Sequence, residues 1–509
     1  MLLIFPPLVK PCEPPPGIAK IAGTLAEEGI ECRVFDANIE GLLFLLGRTY
    51  NWKDTWYYQA SKRGDRHCAA LRNQRTYRDI NRYKHAVMDL HRILTASTRE
   101  SGIRISLSDY KDENLSPVKS NDLLRASEKP ETNPFFEWFS SRLTGMIEAY
   151  NCMYVGFSLN YLSQALTAFA MIGFLKARFP EIKIILGGGL VTSWMRNPLW
   201  NEPFKGIVDF CIDGPAEERL FNFFGRKMKQ PESVPVYEDF PLNDYLSPAY
   251  ILPYSASTGC YWRQCTFCPE KAEGNPYRFI STNDVLRHIS LLIVKNRPQL
   301  IHFLDNAMSN TLLKAIAKNP PGISWYGYVR INELLGNPDF CLELKKSGCI
   351  MLKLGIESGD QKVLDHMNKG FRIELASKVL QNLKAAGIAV YAYFLFGTPG
   401  ETINEARKTL SFCARHQREI TWIHASIFNM PLCDDTHLRF KKYNTYEGDL
   451  SLYADFIHPA GWDRKMIRRF LTREFGRNRA IAGILKATPP FFKENHAPLF
   501  VMNRSEVTS

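Results

Sequence analysis

The sequence predicts an α/β chain: an N-terminal Rossmann-like parallel-sheet domain with a helical insertion, then a partial (β/α)6 barrel and a small C-terminal extension. Three observations carry that reading. Short apolar runs alternate with helical stretches, the pattern of βα units. The alternation starts twice, at residue 2 and again near 251. Between the two series lies SVPVYEDFPLNDYLSP (233–248), whose Pro and Asp content reads as a linker.

The first strand is LLIF (2–5), closed by a Pro-Pro turn. A helix is expected over 17–28, stopped at Gly29, then a strand over 32–36. The pattern resumes at MYVGFSLN, continues through a helix over 163–178, and adds strands in KIILGGG and VDFCIDG. Residues 45–145 interrupt this series as a helical insertion. Its stretch 51–100 carries eleven Lys/Arg against five Asp/Glu, interleaved with Trp52, Trp56, Tyr57, Tyr58, Tyr77 and Tyr83. Such a mixture binds nucleic acid in some proteins, but a solvated helical cap with its aromatics in the core is the plainer reading. From 254 the strand candidates are YSAST, LIHFLD, WYGYVR, IMLKLGIES, VYAYFLFG and WIHASIF, with helices such as 373–386 and 401–415 between them. Barrels of this kind place their chemistry at the C-terminal ends of the strands. The expected boundaries are 1–232 for the first domain, 233–250 for the linker, 251–432 for the barrel and 433–509 for the extension.

Composition narrows the classes. With 45% hydrophobic and 23% charged residues the chain is globular rather than disordered. The net charge of +12 is moderate for 509 residues and argues only weakly for nucleic acid. The apolar runs MLLIF and LLFLLG are too short to span a bilayer, and no leader pattern precedes them, so a cytoplasmic protein is expected. Twelve cysteines in this length are no disulfide framework, and nine of them are scattered singly.

The other three fall in GCYWRQCTFCPE (259–270), as Cys260, Cys265 and Cys268. A structural zinc site wants four ligands, and no second CxxC or HxxxH lies nearby. Thiolates also hold iron–sulfur clusters, normally four to a [4Fe–4S]. Three cysteines on one loop would leave one iron open to a substrate or cofactor. The loop follows the first barrel strand, where barrel sites belong. It resembles the cluster loop of the radical S-adenosylmethionine (SAM) enzymes. The resemblance implies a [4Fe–4S] cluster whose open iron is chelated by SAM, and reductive cleavage of SAM to a 5′-deoxyadenosyl radical. It also implies a ring beside the cluster at Phe267, and a reducing partner such as flavodoxin or ferredoxin. One departure stands out: four residues separate Cys260 from Cys265, where three are usual in the family.

The resemblance extends to polar residues at successive strand ends. Asp305 and Asn306 end HFLDNAM, Arg330 ends YGYVRIN, Glu357 and Ser358 lie in LGIESG, and Gly397, Gly400 and Glu401 lie in FLFGTPGE. In the family such positions bind SAM. Glu357 and Ser358 are the leading contacts, and Arg330 is suited to the SAM carboxylate because a guanidinium pairs with one bidentately.

In the first domain, the Pro-Pro turn, VGFSLN, ILGGG and DGPAEE taken in order resemble the cobalamin-binding domain of many radical SAM enzymes. Ser158, Asn160, Gly187, Gly188 and Gly189 are the implied cobalamin contacts. Many cobalamin domains carry an Asp-x-His-x-x-Gly loop with His below the cobalt. Here the first loop has no histidine, and DANIEG (36–41) has Asn38 where His would stand. Cobalamin is therefore expected without histidine ligation.

The function these resemblances imply is cobalamin-dependent radical SAM chemistry on a small-molecule or peptide substrate, with methyl transfer to an unactivated carbon as the leading reaction. The alternative is a cyclisation, rearrangement or oxidation without methyl transfer. An RNA-modifying enzyme of the methylthiotransferase kind would need three further clustered N-terminal cysteines. A non-enzymatic iron–sulfur sensor gains nothing from the strand-end set. Cys433, in NMPLCDDTH, is a candidate donor of a hydrogen atom or proton, with Asp434, Asp435 and His437 beside it; His496 is expected to pack the tail.

Overall fold

The computed structural model describes residues 1–48, 55–226, 233–433, 442–443 and 448–505. Two compact units emerge, 1–250 with 447–452, and 251–446 with 453–509.

The first unit is built on a parallel sheet of β1 (Leu2–Phe5), β2 (Arg33–Asp36), β3 (Tyr154–Ser158), β4 (Lys183–Gly187) and β5 (Phe210–Cys211), in the order β2-β1-β3-β4-β5. β1 is buried along its whole length, as a strand covered on both faces must be. Its residues pair with β2 on one side and β3 on the other, Leu2 opposite both Arg33 and Val155. The strand order reverses at β1 and β3, and doubly wound sheets bind ligands at the carboxyl ends of such a switch. There the two loops tie to each other: the Ser163 hydroxyl donates to the Leu8 carbonyl at 2.7 Å and the Gln164 amide to that of Pro6 at 2.7 Å. The helix Pro16–Glu27 opens with Pro at its first position, where no backbone donor is needed.

The insertion is helical, as its composition suggests, but it also holds an antiparallel pair, Ile103–Ile105 with Tyr110–Asp112. These strands have three residues each, too few for a period-two pattern to stand out. Tyr77 and Tyr83 are buried with ring centroids 5.4 Å apart, and Tyr58 is exposed. Trp52 and the side chains of Trp56 and Tyr57 lie outside the described residues. Residues 233–250, read as a linker from composition, belong to the first unit. The Val236 N–H donates to the Ala19 carbonyl, and the Tyr245 hydroxyl bonds the buried Asp36 carboxyl.

The second unit is a six-stranded parallel sheet of β6 (Ile251–Tyr254), β7 (Leu300–Phe303), β8 (Ser324–Val329), β9 (Cys349–Glu357), β10 (Ala389–Phe396) and β11 (Trp422–Ile427), ordered as in the chain. Register puts Tyr328, Lys353, Tyr391 and Trp422 side by side on one face, with Tyr393 and His424 one step further along. Lys353 is buried, its Nζ 2.7 Å from His302 Nε2 and 4.0 Å from the Tyr328 ring centroid. The C-terminal helix Lys493–Ser505 packs on β9 and brings Glu494 to 2.9 Å from the Tyr328 hydroxyl. His496, on the same helix, is fully buried with its ring 4.7 Å from that of Phe492. No described helix is long and apolar enough to cross a membrane.

Candidate active site

The cysteine loop leaves β6 at its carboxyl end and is fixed at its start by backbone geometry. Gly259 adopts φ +70°, and a Cβ there would stand 2.5 Å from the Pro276 carbonyl. The four-residue spacer holds Arg263 at φ +50°, a left-handed residue inside the wider loop. Cys265 is buried, while Cys260 and Cys268 are half-buried. Burial pushes the Cys268 thiol up to about 11, against backbone donors that pull it down.

Residues 366–370, about a hundred positions on, hold the loop from the far side. Thr266 donates its N–H to the Met367 carbonyl and its hydroxyl to the His366 carbonyl, each at 3.0 Å. The Trp262 indole donates to the Asn368 carbonyl at 2.9 Å. Gly370, at φ +72°, packs so close to the Trp262 indole that a Cβ would stand 2.1 Å from Cζ2. Arg330, 9% exposed at the end of β8, ties several parts of the loop together: Nη1 meets Cys265 Sγ at 3.6 Å, Nη2 meets the Lys369 carbonyl, and the guanidinium carbon lies 4.3 Å from the Trp262 ring centroid. Lys369 pairs with Glu357 at 3.2 Å and sits 5.5 Å from the Phe267 ring. Glu357 occupies a register shift at the end of β9 with φ +68°. The structure thus gathers Cys265, Phe267, Arg330 and Glu357 around Lys369.

The other expected residues sit differently. Asp305 is buried and accepts from the Ala256 N–H at 3.1 Å and from the Ser257 hydroxyl, so it braces the start of the cysteine loop. Burial raises its carboxyl, and those two donors oppose the rise. It also lines a cavity of ≈ 360 Å³ with Ser257, Tyr261, Tyr277 and Ser309. Asn306 is exposed. Ser358 is fully buried, its hydroxyl 3.2 Å from that of Thr409 and accepting from the Asp360 N–H. Cys433 is half-buried after β11, and Asp434, Asp435 and His437 lie outside the described residues. Sequence reasoning missed Trp262, Asn368 and Lys369; the Asn-Lys-Gly run was the one local signal, a turn dipeptide pattern with no chemistry of its own.

In the loop after β10, Glu401 is fully buried. One carboxylate oxygen accepts from the Gly397 N–H at 2.5 Å and the Trp462 indole at 3.3 Å. The other has no hydrogen-bond partner among the described residues. Burial pushes this carboxyl up to about 8, against those two donors. A raised acid stabilises the fold below its unfolded pKa, and that contribution is lost as pH climbs through the folded one. In melts from about pH 5 to pH 9, the wild type is therefore expected to lose stability relative to Glu401→Gln as pH rises. A pH-independent difference would contradict this.

In the first unit, the Asn160 amide donates to Ser158 Oγ at 3.0 Å, and its oxygen accepts from the Gly189 N–H at 2.8 Å. Gly188, at φ +110°, is demanded by the fold itself, since a Cβ would meet the Leu159 carbonyl at 2.4 Å. Gly187 and Gly189 are not: their nearest neighbours would be at 3.6 Å, ordinary contact. Asn38 is buried and accepts from the Val9 N–H at 2.8 Å, a bond that holds the loop after β1.

Residues 254–413 match the family model of the Radical SAM superfamily, so the second unit carries a radical SAM domain. The fold is similar to that of the radical SAM methyltransferase TsrM from Kitasatospora setae, solved with tryptophan substrate and a SAM analog. That match has a TM-score of 0.52 at 14% identity and covers 88% of this chain and 79% of that one. Among curated proteins, an uncharacterized methyltransferase of Pyrococcus horikoshii is 26% identical over 36% of this chain and 41% of its own. The bacteriochlorophyllide d C-12(1)-methyltransferase of Chlorobaculum tepidum is 26% identical over 52% and 63%. The chain thus spans less than two thirds of either relative.

Proposed function

We propose that this chain is a cobalamin-dependent radical SAM enzyme whose leading reaction is methyl transfer to an unactivated carbon. The observation that carries the reading is a three-thiol loop at the carboxyl end of a parallel six-stranded sheet, with Arg330 on Cys265 Sγ. Cys260, Cys265 and Cys268 fit a [4Fe–4S] cluster by donor chemistry, and the Arg330 guanidinium on Cys265 Sγ suits thiolate charge. When bound, the cluster supplies the electron that cleaves SAM. Arg330 and Lys369 offer donors to the SAM carboxylate, and Glu357 offers an acceptor to its amine. Asp305 orients the loop through Ser257. Ser158, Asn160, Gly187 and Gly189 suit cobalamin, which when bound supplies a methyl carrier. The buried Asn38, engaged by Val9, leaves no histidine at the expected lower-ligand place. A flavodoxin- or ferredoxin-like reductant would supply electrons.

A second reading, radical chemistry without methyl transfer, is favoured by a 26% identical relative named as the anaerobic magnesium-protoporphyrin IX monomethyl ester cyclase of Rubrivivax gelatinosus. Protein reconstituted anaerobically with iron, sulfide and cobalamin separates the two when given SAM and dithionite. Methyl transfer requires S-adenosylhomocysteine beside 5′-deoxyadenosine. Deoxyadenosine alone points to the second reading, and neither product rejects both.

A further inference from the structure

The insertion holds a cluster that the radical chemistry does not use. His67 lies on the helix Gly64–Leu71, and His85 and Asp89 lie one turn apart on the helix Ile80–Ser97. The i, i+4 spacing puts the latter two on one face. His67 Nε2 stands 3.2 Å from Asp89 Oδ2, and His85 Nε2 stands 3.6 Å from the same oxygen. All three ligand atoms lie within 4.8 Å of one another. Ligands on a tetrahedral zinc ion, with bonds of about 2.1 Å, are roughly 3.4 Å apart, and the two measured gaps bracket that value.

A second observation points inward. The His67 side chain is more than nine-tenths buried, yet its Nε2 meets no group in hydrogen-bonding geometry. The other Asp89 oxygen is taken by Arg92 Nη1. A ligating carboxylate is commonly held this way by an outer partner. His85 is exposed, so the group is reached from solvent. Cys68, next to His67 in the chain, stands outside the group.

We propose that His67, His85 and Asp89 form a binding site for a zinc-class divalent ion that clips the helices Gly64–Leu71 and Ile80–Ser97 together. Two imidazoles and one carboxylate suit zinc or cobalt(II) rather than calcium or magnesium, which take oxygen ligands. The proposal stands apart from the radical SAM reading, because its ligands lie outside the cysteine loop.

The test uses the full chain with its cluster reconstituted, dialysed anaerobically against zinc(II), with bound metal measured by mass spectrometry. One zinc per chain is expected beyond the cluster iron. His85→Gln and Asp89→Asn should each weaken binding by more than about tenfold, and Arg92→Met by about tenfold, as outer partners do. His85 is exposed, so His85→Gln should fold and cleave SAM as the wild type does. Cobalt(II) in place of zinc should give tetrahedral d–d bands without thiolate charge transfer. Equal zinc uptake by wild type and His85→Gln, no uptake by either, or thiolate charge transfer in the cobalt spectrum would each overturn the assignment.

Discussion

Cys265→Ser protein is expected to lose its cluster and, with it, SAM cleavage. Cys265 is the most enclosed of the three thiols and the one that Arg330 touches at 3.6 Å. Serine keeps the size of the side chain but supplies an alcohol, far harder to ionise than a thiol and a poor iron ligand. Of the scattered cysteines in the same unit, Cys341, Cys349 and Cys413 are buried on other elements of the fold. Deoxyadenosine formation should fall by at least about 10³-fold, the scale seen when a group that carries the chemistry is removed. Iron content after reconstitution should fall with it, while the melting temperature of the apoprotein stays near the wild type's. Cleavage at more than a tenth of the wild-type rate, roughly a 1.4 kcal/mol loss or less, would mean that the three thiols are not the cluster's ligands.

Much of this architecture could be read in the sequence, because its signals are local. LLIF and IMLKLGIES are apolar runs long enough to mark buried parallel strands, and three cysteines within nine residues need no tertiary context. What escaped depends on groups far apart in the chain. Asp305 looks like any strand-end carboxylate until it is seen gripping Ser257 and the Ala256 N–H, 48 and 49 residues earlier. Ser358 sits beside Glu357 in sequence, yet a register shift and a positive φ at Glu357 send Glu357 to Lys369 and leave Ser358 on Thr409. The segment 233–250 reads as a linker by its prolines. Its hydrogen bonds to Ala19 and Asp36 are invisible to composition. The proposed metal-ligand triad in the insertion was hidden for the same reason, since His85 lies 18 positions after His67, on another helix.

Gly370→Val should disrupt the cysteine loop almost as thoroughly as loss of a thiol, although residue 370 ligates nothing. Valine at φ +72° pays the left-handed penalty of about 1–2 kcal/mol. A Cβ there would stand 2.1 Å from Trp262 Cζ2, so the indole must leave. Its departure breaks the bond to the Asn368 carbonyl and strips the Arg330 guanidinium of the ring 4.3 Å away. Overpacking of this kind adds about 1–3 kcal/mol. Lower thermal stability and incomplete iron loading are the expected results. A double-mutant cycle with Trp262→Ala isolates the cause. If the clash with the indole dominates, Gly370→Val in the Trp262→Ala background should cost only the backbone penalty, and the pair should be less damaging than the sum. Strict additivity would place the effect in the backbone alone and remove the Trp262 ring from the account of how the loop is held.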